Sequence, residues 1–151
     1  MYKGVFKILK RYGEDNLAVE FFSEHMQKID SHFEKHKRIL CITKDSVYQL
    51  SKKLSVTIRI KLEEIKGLTV IKKNASLLVI HCPGTYDHLI EIFRRPELIL
   101  FLIHCMQLKK LPPPKIKYAN QLKMTKTTSG GVLAGYTKQK EKIINFDLAE
   151  Q

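Results

Sequence analysis

The sequence predicts a mainly β domain, a barrel or a sandwich, covered at one end by a single apolar helix. Short apolar runs of strand length follow one another at close spacing between residues 17 and 93. The run at 54–62 alternates apolar and polar residues, as a half-buried antiparallel strand does. Residues 98–108 are apolar almost all round, which is typical of a buried helix. With 151 residues, 44% of them hydrophobic, the chain suits one domain with its own core.

The first twelve residues predict a short basic amphipathic helix. Val5, Ile8 and Leu9 share one face, while lysines and an arginine occupy the rest. Gly13 is placed to end this helix. Residues 14–16 then form a turn. If the partner of the protein is a membrane, this basic helix is expected to add interfacial contact.

Seven strand candidates follow. The first weakens after residue 22, where no clean period remains, so it either continues irregularly or bulges. Residues 31–38 are polar and basic and predict a loop. Gly and Pro or paired polar residues mark the turns between the later strands. The seven candidates are 17–22, 38–43, 47–50, 54–62, 68–71, 76–82 and 86–93.

A helix is predicted to begin at Pro96, since proline is favoured at the first helical position and Glu97 suits the first turn. Three prolines at 112–114 end it. Beyond them lies a lysine-rich extension with strand-like pieces at 116–127 and 135–148 and a bend at 129–131. We therefore expect a single domain, 1–151, made of residues 1–16 (helix and turn), 17–111 (strands and helix) and 112–151 (extension).

The chain carries 27 Lys and Arg against 15 Asp and Glu, a net charge of +12. This balance favours a polyanionic partner, either an anionic membrane, an acidic protein or nucleic acid. No strand interleaves exposed aromatic with basic residues, so nucleic acid has no support beyond charge. Two basic clusters stand out: Lys28, Lys35, His36, Lys37 and Arg38, then Lys109, Lys110, Lys115 and Lys117.

Several classes of protein are excluded by missing patterns. The longest apolar stretch, 98–103, is far shorter than the roughly 20 residues of a membrane span. Lysines interrupt the N-terminus too often for a secretory signal. Cys41, Cys82 and Cys105 have no paired spacing, so we expect three core residues in a reducing compartment rather than a zinc or disulfide scaffold.

The sequence also predicts no catalytic, metal or cofactor site. It has no phosphate-binding glycine loop, no G-x-S-x-G and no H-E-x-x-H. His32 and His36 have the i, i+4 spacing of a helical metal pair, but their segment does not predict a helix. We therefore expect a non-catalytic protein.

Residues 17–54 carry a more specific pattern. They include VEFFSEHMQKID at 19–30, a polar loop, and HKRILCITKDSVYQL at 36–50. This pattern resembles the tail homology domain of class I myosins, which has an aromatic-Ser strand, a basic loop, a Lys-Arg-apolar strand and an apolar-Tyr-x-Leu strand. A looser similarity extends over residues 5–148.

The resemblance implies a pleckstrin-homology-like antiparallel barrel that binds anionic phospholipids, phosphoinositides in particular, at the cytoplasmic face of a membrane. It assigns the lipid head group to Lys28, on the first strand, and Arg38, just before the second. Lys35 and Lys37, on the loop between, would assist. Asp30-Ser31 departs from the Asn-Arg usual in the family, and Glu34 adds another acid.

These two acids favour an alternative reading. In it, the fold is kept but lipid binding is weak or lost, and the domain is an adaptor for a cytoskeletal or cargo protein. The sequence leaves the oligomeric state open.

Overall fold

The computed structural model describes residues 2–14, 19–128 and 138–145, with side chains for 4–14 and 19–121. Within these residues it has two α-helices, one short 3-10 turn at Leu62–Glu64, and ten strands. The helices are α1 (Tyr2–Lys10) and α2 (Arg95–Leu108). The strands are β1 (Val19–Ile29), β2 (Lys35–Thr43), β3 (Ser46–Leu50), β4 (Val56–Lys61), β5 (Gly67–Ile71), β6 (Leu77–His81), β7 (His88–Ile92), β8 (Lys115–Ala119), β9 (Gln121–Thr128) and β10 (Lys138–Asn145).

Eight strands form one open sheet in the order β4-β3-β2-β1-β7-β6-β5-β8. Neighbouring strands are antiparallel except β5 and β8, which run parallel. Strands β4 and β5 are six steps apart, which would be roughly 29 Å in a flat sheet. Ile60 of β4 and Leu68 of β5 nevertheless share one core, so the sheet curls round it. The predicted mainly β, pleckstrin-homology-like class, with a helix after the strands, is confirmed.

Helix α2 lies on the core of this curled sheet. Leu98, Leu102, Cys105 and Met106 are buried in it. The opposite face of the helix is also apolar but exposed, with Leu100 68% and Leu108 55% accessible. The prediction of a largely buried helix is therefore wrong for that face, because a helix lying on one layer buries only the side that meets the layer. No helix in the described part of the chain is long and apolar enough to cross a bilayer.

Helix α1 packs on the outer face of β2 and β3. Val5 and Leu9 are fully buried there against Cys41 and Tyr48. Gly13, at φ 88°, ends the helical segment in the left-handed conformation that glycine adopts without strain. Val5 and Leu9 are therefore not available to a membrane, whereas Lys7 and Lys10 are exposed, so contact of this basic helix with a membrane stays a prediction.

The predicted loop at 31–38 is shorter in the structure, because β2 already begins at Lys35. Its first four residues pair with 26–29 of β1, which continues to Ile29 with an irregular register between Ser23 and Met26. The polar side chains at 35–38 gave no strand pattern. These residues extend beyond the end of β3 and pair only with β1 within the described residues.

The C-terminal region also differs from the prediction. The piece expected at 116–127 is divided, so that β8 joins the main sheet beside β5 while β9 pairs only with β10. The bend predicted at 129–131 lies outside the described residues, as do residues 15–18, which include parts of the predicted first turn and first strand.

Candidate functional site

Two cations lie close together near the end of β1 and the start of β2. Lys28 is opposite His36 of β2 and Ile90 of β7, and Arg38 is opposite Met26. Directly opposed residues project from the same face of a sheet, and Met26 and Ile90 are core residues. Lys28 and Arg38 therefore share the core-facing side. As diagonal neighbours their backbones are roughly 7–8 Å apart.

Lys35 and Lys37 are exposed and alternate with these positions, so they project from the outer face. The prediction that they lie on a loop is wrong, because their backbones pair with Ile29 and Gln27. Lys35 Nζ forms a 3.0 Å ion pair with Glu91 of β7. The structure thus divides the four predicted site residues into two pairs on opposite faces. Arg38 is likewise within β2 rather than before it.

The Arg38 guanidinium does not use all of its hydrogen-bond donors within the described residues. One of its terminal nitrogens donates a 2.9 Å hydrogen bond to the Lys37 carbonyl. Its Nε is buried, and within the described residues it has no hydrogen-bond partner. A buried donor without a partner is unfavourable by roughly 1–3 kcal/mol. An anion beside Arg38 can accept hydrogen bonds from the terminal nitrogens of the guanidinium.

A buried histidine completes this side of the sheet. His88 of β7 is only 6% exposed, and its ring centroid lies 4.6 Å from that of Tyr86. Burial, and after it the positive charge of Lys28, lowers the pKa of His88 to about 4. The imidazole is therefore neutral at pH 7 and adds no charge to the site. The only sequence signal for its position is its alternation with Ile90 and Ile92 along β7.

The turn between β1 and β2 is organised by Asp30. Its Oδ1 accepts hydrogen bonds of 2.9 Å from the backbone N–H of His32 and of Glu34, and its Oδ2 accepts one of 2.8 Å from His36 Nε2. The bond from His36 is the main reason that the pKa of Asp30 is lowered to about 2. The Asp30 carboxylate is therefore held by two hydrogen bonds from the turn and one from His36 of β2.

Phe33 stands at the tip of this turn. Its φ is 62°, a left-handed conformation that is unfavourable by roughly 1–2 kcal/mol for a residue with a side chain. Its side chain is nevertheless 48% exposed. Sequence reasoning treated this segment only as a polar loop and did not single out Phe33.

The turn also holds a group of possible metal ligands. Ligand atoms of Asp30, Glu34 and His36 lie within 4.8 Å of one another. The Asp30 carboxylate accepts three hydrogen bonds, two from the turn and one from His36. These bonds explain the position of the carboxylate in the fold.

The second basic cluster is partly neutralised. Lys109 Nζ forms ion pairs with Asp45, at 3.0 Å, and with Glu63. These bonds raise the pKa of Lys109 and lower that of Glu63. Lys109 therefore joins α2 to the β2–β3 turn and is less available to an external anion than Lys28 or Arg38.

A family model described as "Unconventional myosin tail, actin- and lipid-binding" matches residues 7–148. Among solved structures, the hSac2 domain from human phosphoinositide phosphatase Sac2 is similar, with 13% sequence identity and a TM-score of 0.47. This alignment covers 74% of the present chain and 86% of the hSac2 chain. No curated protein matches the chain. The family match spans nearly the whole sequence, whereas the structural likeness is distant.

Proposed function

The chain belongs to the family of unconventional myosin tails described as actin- and lipid-binding, and from this membership we propose that it is a non-catalytic module that attaches peripherally to cytoplasmic membrane faces. Its ligands are anionic phospholipids, phosphoinositides in particular. The head group is held by Lys28 and Arg38 on the core-facing side of the sheet.

The observation that supports this proposal is the pairing of two cations on one face. Lys28 and Arg38 are diagonal neighbours on adjacent strands, so one phosphorylated head group can contact both. Arginine suits a phosphate because its guanidinium offers several donors in one plane. Each cation near an anionic surface contributes roughly 1 kcal/mol, so the pair supports a salt-dependent interaction.

Lys35 and Lys37 have a lesser part in this proposal. They project from the outer face, and Lys35 is paired with Glu91. They strengthen the general attraction to an anionic surface, which salt screens, but they do not contact the bound head group.

A second candidate is a protein-binding adaptor on the cytoskeleton. The family description names actin beside lipid, and α2 presents exposed apolar side chains at Leu100, Phe101 and Leu108. Exposed apolar surface of this kind can mark a protein contact. The lipid function would use Lys28 and Arg38, and the adaptor function would use the exposed face of α2. Variants on one surface therefore test one function without changing the other.

Vesicle co-sedimentation tests the lipid site. The vesicles are neutral, rich in phosphatidylserine, or supplemented with a phosphoinositide, each at low and physiological salt. We expect Lys28→Ala/Arg38→Ala to weaken binding to phosphoinositide vesicles about 30-fold, from two lost contributions of roughly 1 kcal/mol each. Thermal unfolding of the variant checks that the fold is intact.

The matched control is Lys35→Ala/Lys37→Ala, which removes the same charge from the opposite face of the same region. We expect this variant to lose several-fold less affinity than the first. Equal losses in both variants, following total charge alone, would show that the attraction is diffuse and that the head-group assignment is wrong. Absence of wild-type binding to every vesicle would leave the adaptor as the function.

A further inference from the structure

Strand β8 forms one end of the main sheet. It pairs with β5 on one side, and within the described residues no strand pairs with its other side. Lys115 N donates to the Lys66 carbonyl at 3.1 Å, and Lys72 N donates to the Ala119 carbonyl at 3.2 Å. The first and last residues of β8 therefore direct their backbone groups toward β5.

The residues at the second and fourth positions of β8 direct their backbone groups the other way. In a parallel pair, only every second residue of a strand bonds to the neighbouring strand, so residues 115, 117 and 119 face β5. The N–H and C=O groups of Ile116 and Tyr118 consequently point away from the sheet. Unpaired groups in such a row are a template for one more strand.

The side chains along this edge have a different chemistry on each face. Ile116 and Tyr118 lie opposite core residues of β5, so they project from the core-facing side, yet they are 37% and 65% exposed. Lys115 and Lys117 alternate with them and are exposed on the outer face. An added strand would therefore meet apolar side chains on one face and positive charge on the other.

Charge decides what kind of strand fits. A second copy of the same edge would bring lysines against lysines, and like charges opposed on neighbouring strands are unfavourable. Lys109, in the same basic cluster, is already paired with Asp45 and Glu63. Lys115 and Lys117 form no ion pair with any described residue, so their charge is available to an acidic partner.

We propose that the open edge of β8 binds an extended segment of a partner protein in which acidic residues alternate with apolar residues. The segment adds a strand to the sheet through the backbones of Ile116 and Tyr118. Its acidic side chains lie beside Lys115 and Lys117, and its apolar side chains lie on the opposite face. This inference goes beyond the lipid function and does not depend on it, because β5, β6 and β7 separate β8 from β1.

Amide hydrogen exchange, followed by NMR, tests the open edge in the protein alone. Lys117 and Ala119 are bonded to β5, so their amides should exchange slowly. We expect the amides of Ile116 and Tyr118 to exchange at least about tenfold faster. Equal protection of all four amides would show that another part of the chain already covers this edge, and it would overturn the proposal.

Peptide binding tests the chemistry of the partner. The probe is a synthetic peptide of about eight residues that alternates Glu and Val, long enough to cover β8. We expect it to slow exchange at Ile116 and Tyr118 and to leave Lys117 and Ala119 unchanged. Failure of this peptide to change exchange at Ile116 and Tyr118 would refute the proposal.

Two control peptides separate charge from strand formation. In the first, Lys replaces each Glu, so that like charges meet. In the second, proline replaces the central valines, which removes backbone donors and prevents a regular strand. We expect neither control to bind measurably. Binding of the lysine peptide as tightly as the probe would refute the role of charge, and equal binding of the proline peptide would refute strand addition.

A pair of charge variants tests where the probe binds. Lys115→Gln/Lys117→Gln removes two charges from β8, whereas Lys7→Gln/Lys10→Gln removes two from α1, where both lysines are also exposed. At physiological salt we expect the first variant to bind the probe about fivefold more weakly and the second to bind it like the wild type. Equal losses in the two variants would show that net charge attracts the peptide and that the assignment to β8 is wrong.

Discussion

His36 Nε2 donates a 2.8 Å hydrogen bond to Asp30 Oδ2 and so joins the two strands at the base of the β1–β2 turn. The negative charge of Asp30 at first suggests repulsion of an anionic lipid. Its carboxylate is instead used by His36 and by two backbone N–H groups. Asp30 therefore organises the turn that flanks Lys28.

Replacing Asp30 by Asn is expected to destabilise the protein above pH 4 and much less below it. The folded protein lowers the pKa of Asp30 from 3.8 to about 2, so the ionised carboxylate stabilises the native state. This stabilisation is complete above the unfolded pKa and is lost as the pH falls toward 2. Urea unfolding at pH 7, 4 and 2.5 should show that the difference in unfolding free energy between wild type and Asp30→Asn becomes smaller as the pH falls. A gap that is constant across this range would contradict the assignment.

Glu14 is expected to be important for stability, because it is buried beside two hydroxyl groups. Its Oε1 accepts hydrogen bonds from Thr43 Oγ1 at 2.8 Å and from the Tyr48 hydroxyl at 3.2 Å. Glu14→Ala leaves both donors without this acceptor and should lower the free energy of unfolding by about 1–3 kcal/mol. Tyr48→Phe removes only one of the two bonds and should have a smaller effect. Urea denaturation measures both, and a loss below 0.5 kcal/mol, roughly the effect of a neutral surface change, would refute the prediction for Glu14.

Arg95 is expected to stabilise the hairpin of β5 and β6. Its Nη1 donates to the carbonyls of Ile71, Asn74 and Leu77 at 3.0, 2.7 and 2.9 Å. Hydrogen bonds from a charged group contribute about 1.5–3 kcal/mol, so Arg95→Ala should lower the free energy of unfolding by about that amount. Lys72→Ala, an exposed change in the same hairpin, serves as the control and should have almost no effect. Similar losses of unfolding free energy in the two variants would argue against stabilisation of the hairpin by Arg95.

The three cysteines are expected to be inert in the native protein. All are buried, and burial raises the pKa of Cys41 and of Cys82 to about 12 and that of Cys105 to about 11. Because the thiolate is the reactive form, a thiol reagent at pH 8 should label the native chain very slowly. In denaturant it should label all three thiols. Rapid labelling of a thiol in the native protein would show that the structure around that cysteine opens to solvent.

The sequence predicted elements whose signal is local and missed those that depend on distant partners. The alternation at 54–62 identified β4, and Pro96 identified the start of α2. Both signals lie in the residues that form the element, so neither depends on a distant partner. The start of β2 at Lys35 was missed, since only pairing with β1 makes that polar segment a strand.

The candidate site shows the same division. Lys28 and Arg38 were proposed through the family pattern, which put Lys28 on the first strand and Arg38 just before the second. The separation of Lys35 and Lys37 onto the other face follows from the register of β1 and β2, which no local pattern specifies. The role of Asp30 could not be predicted either, because it depends on three bonds that exist only in the folded turn.

The parallel pairing of β8 with β5 has a consequence for where the domain can be shortened. A fragment that stops at the prolines after α2 would lack β8 and leave the backbone N–H and C=O groups of Gly67–Ile71 without their ladder partners on one side. Such an open, apolar strand invites pairing between molecules and aggregation. The smallest well-behaved unit therefore extends at least to Ala119, even though α2 and the prolines mark an earlier boundary in the sequence.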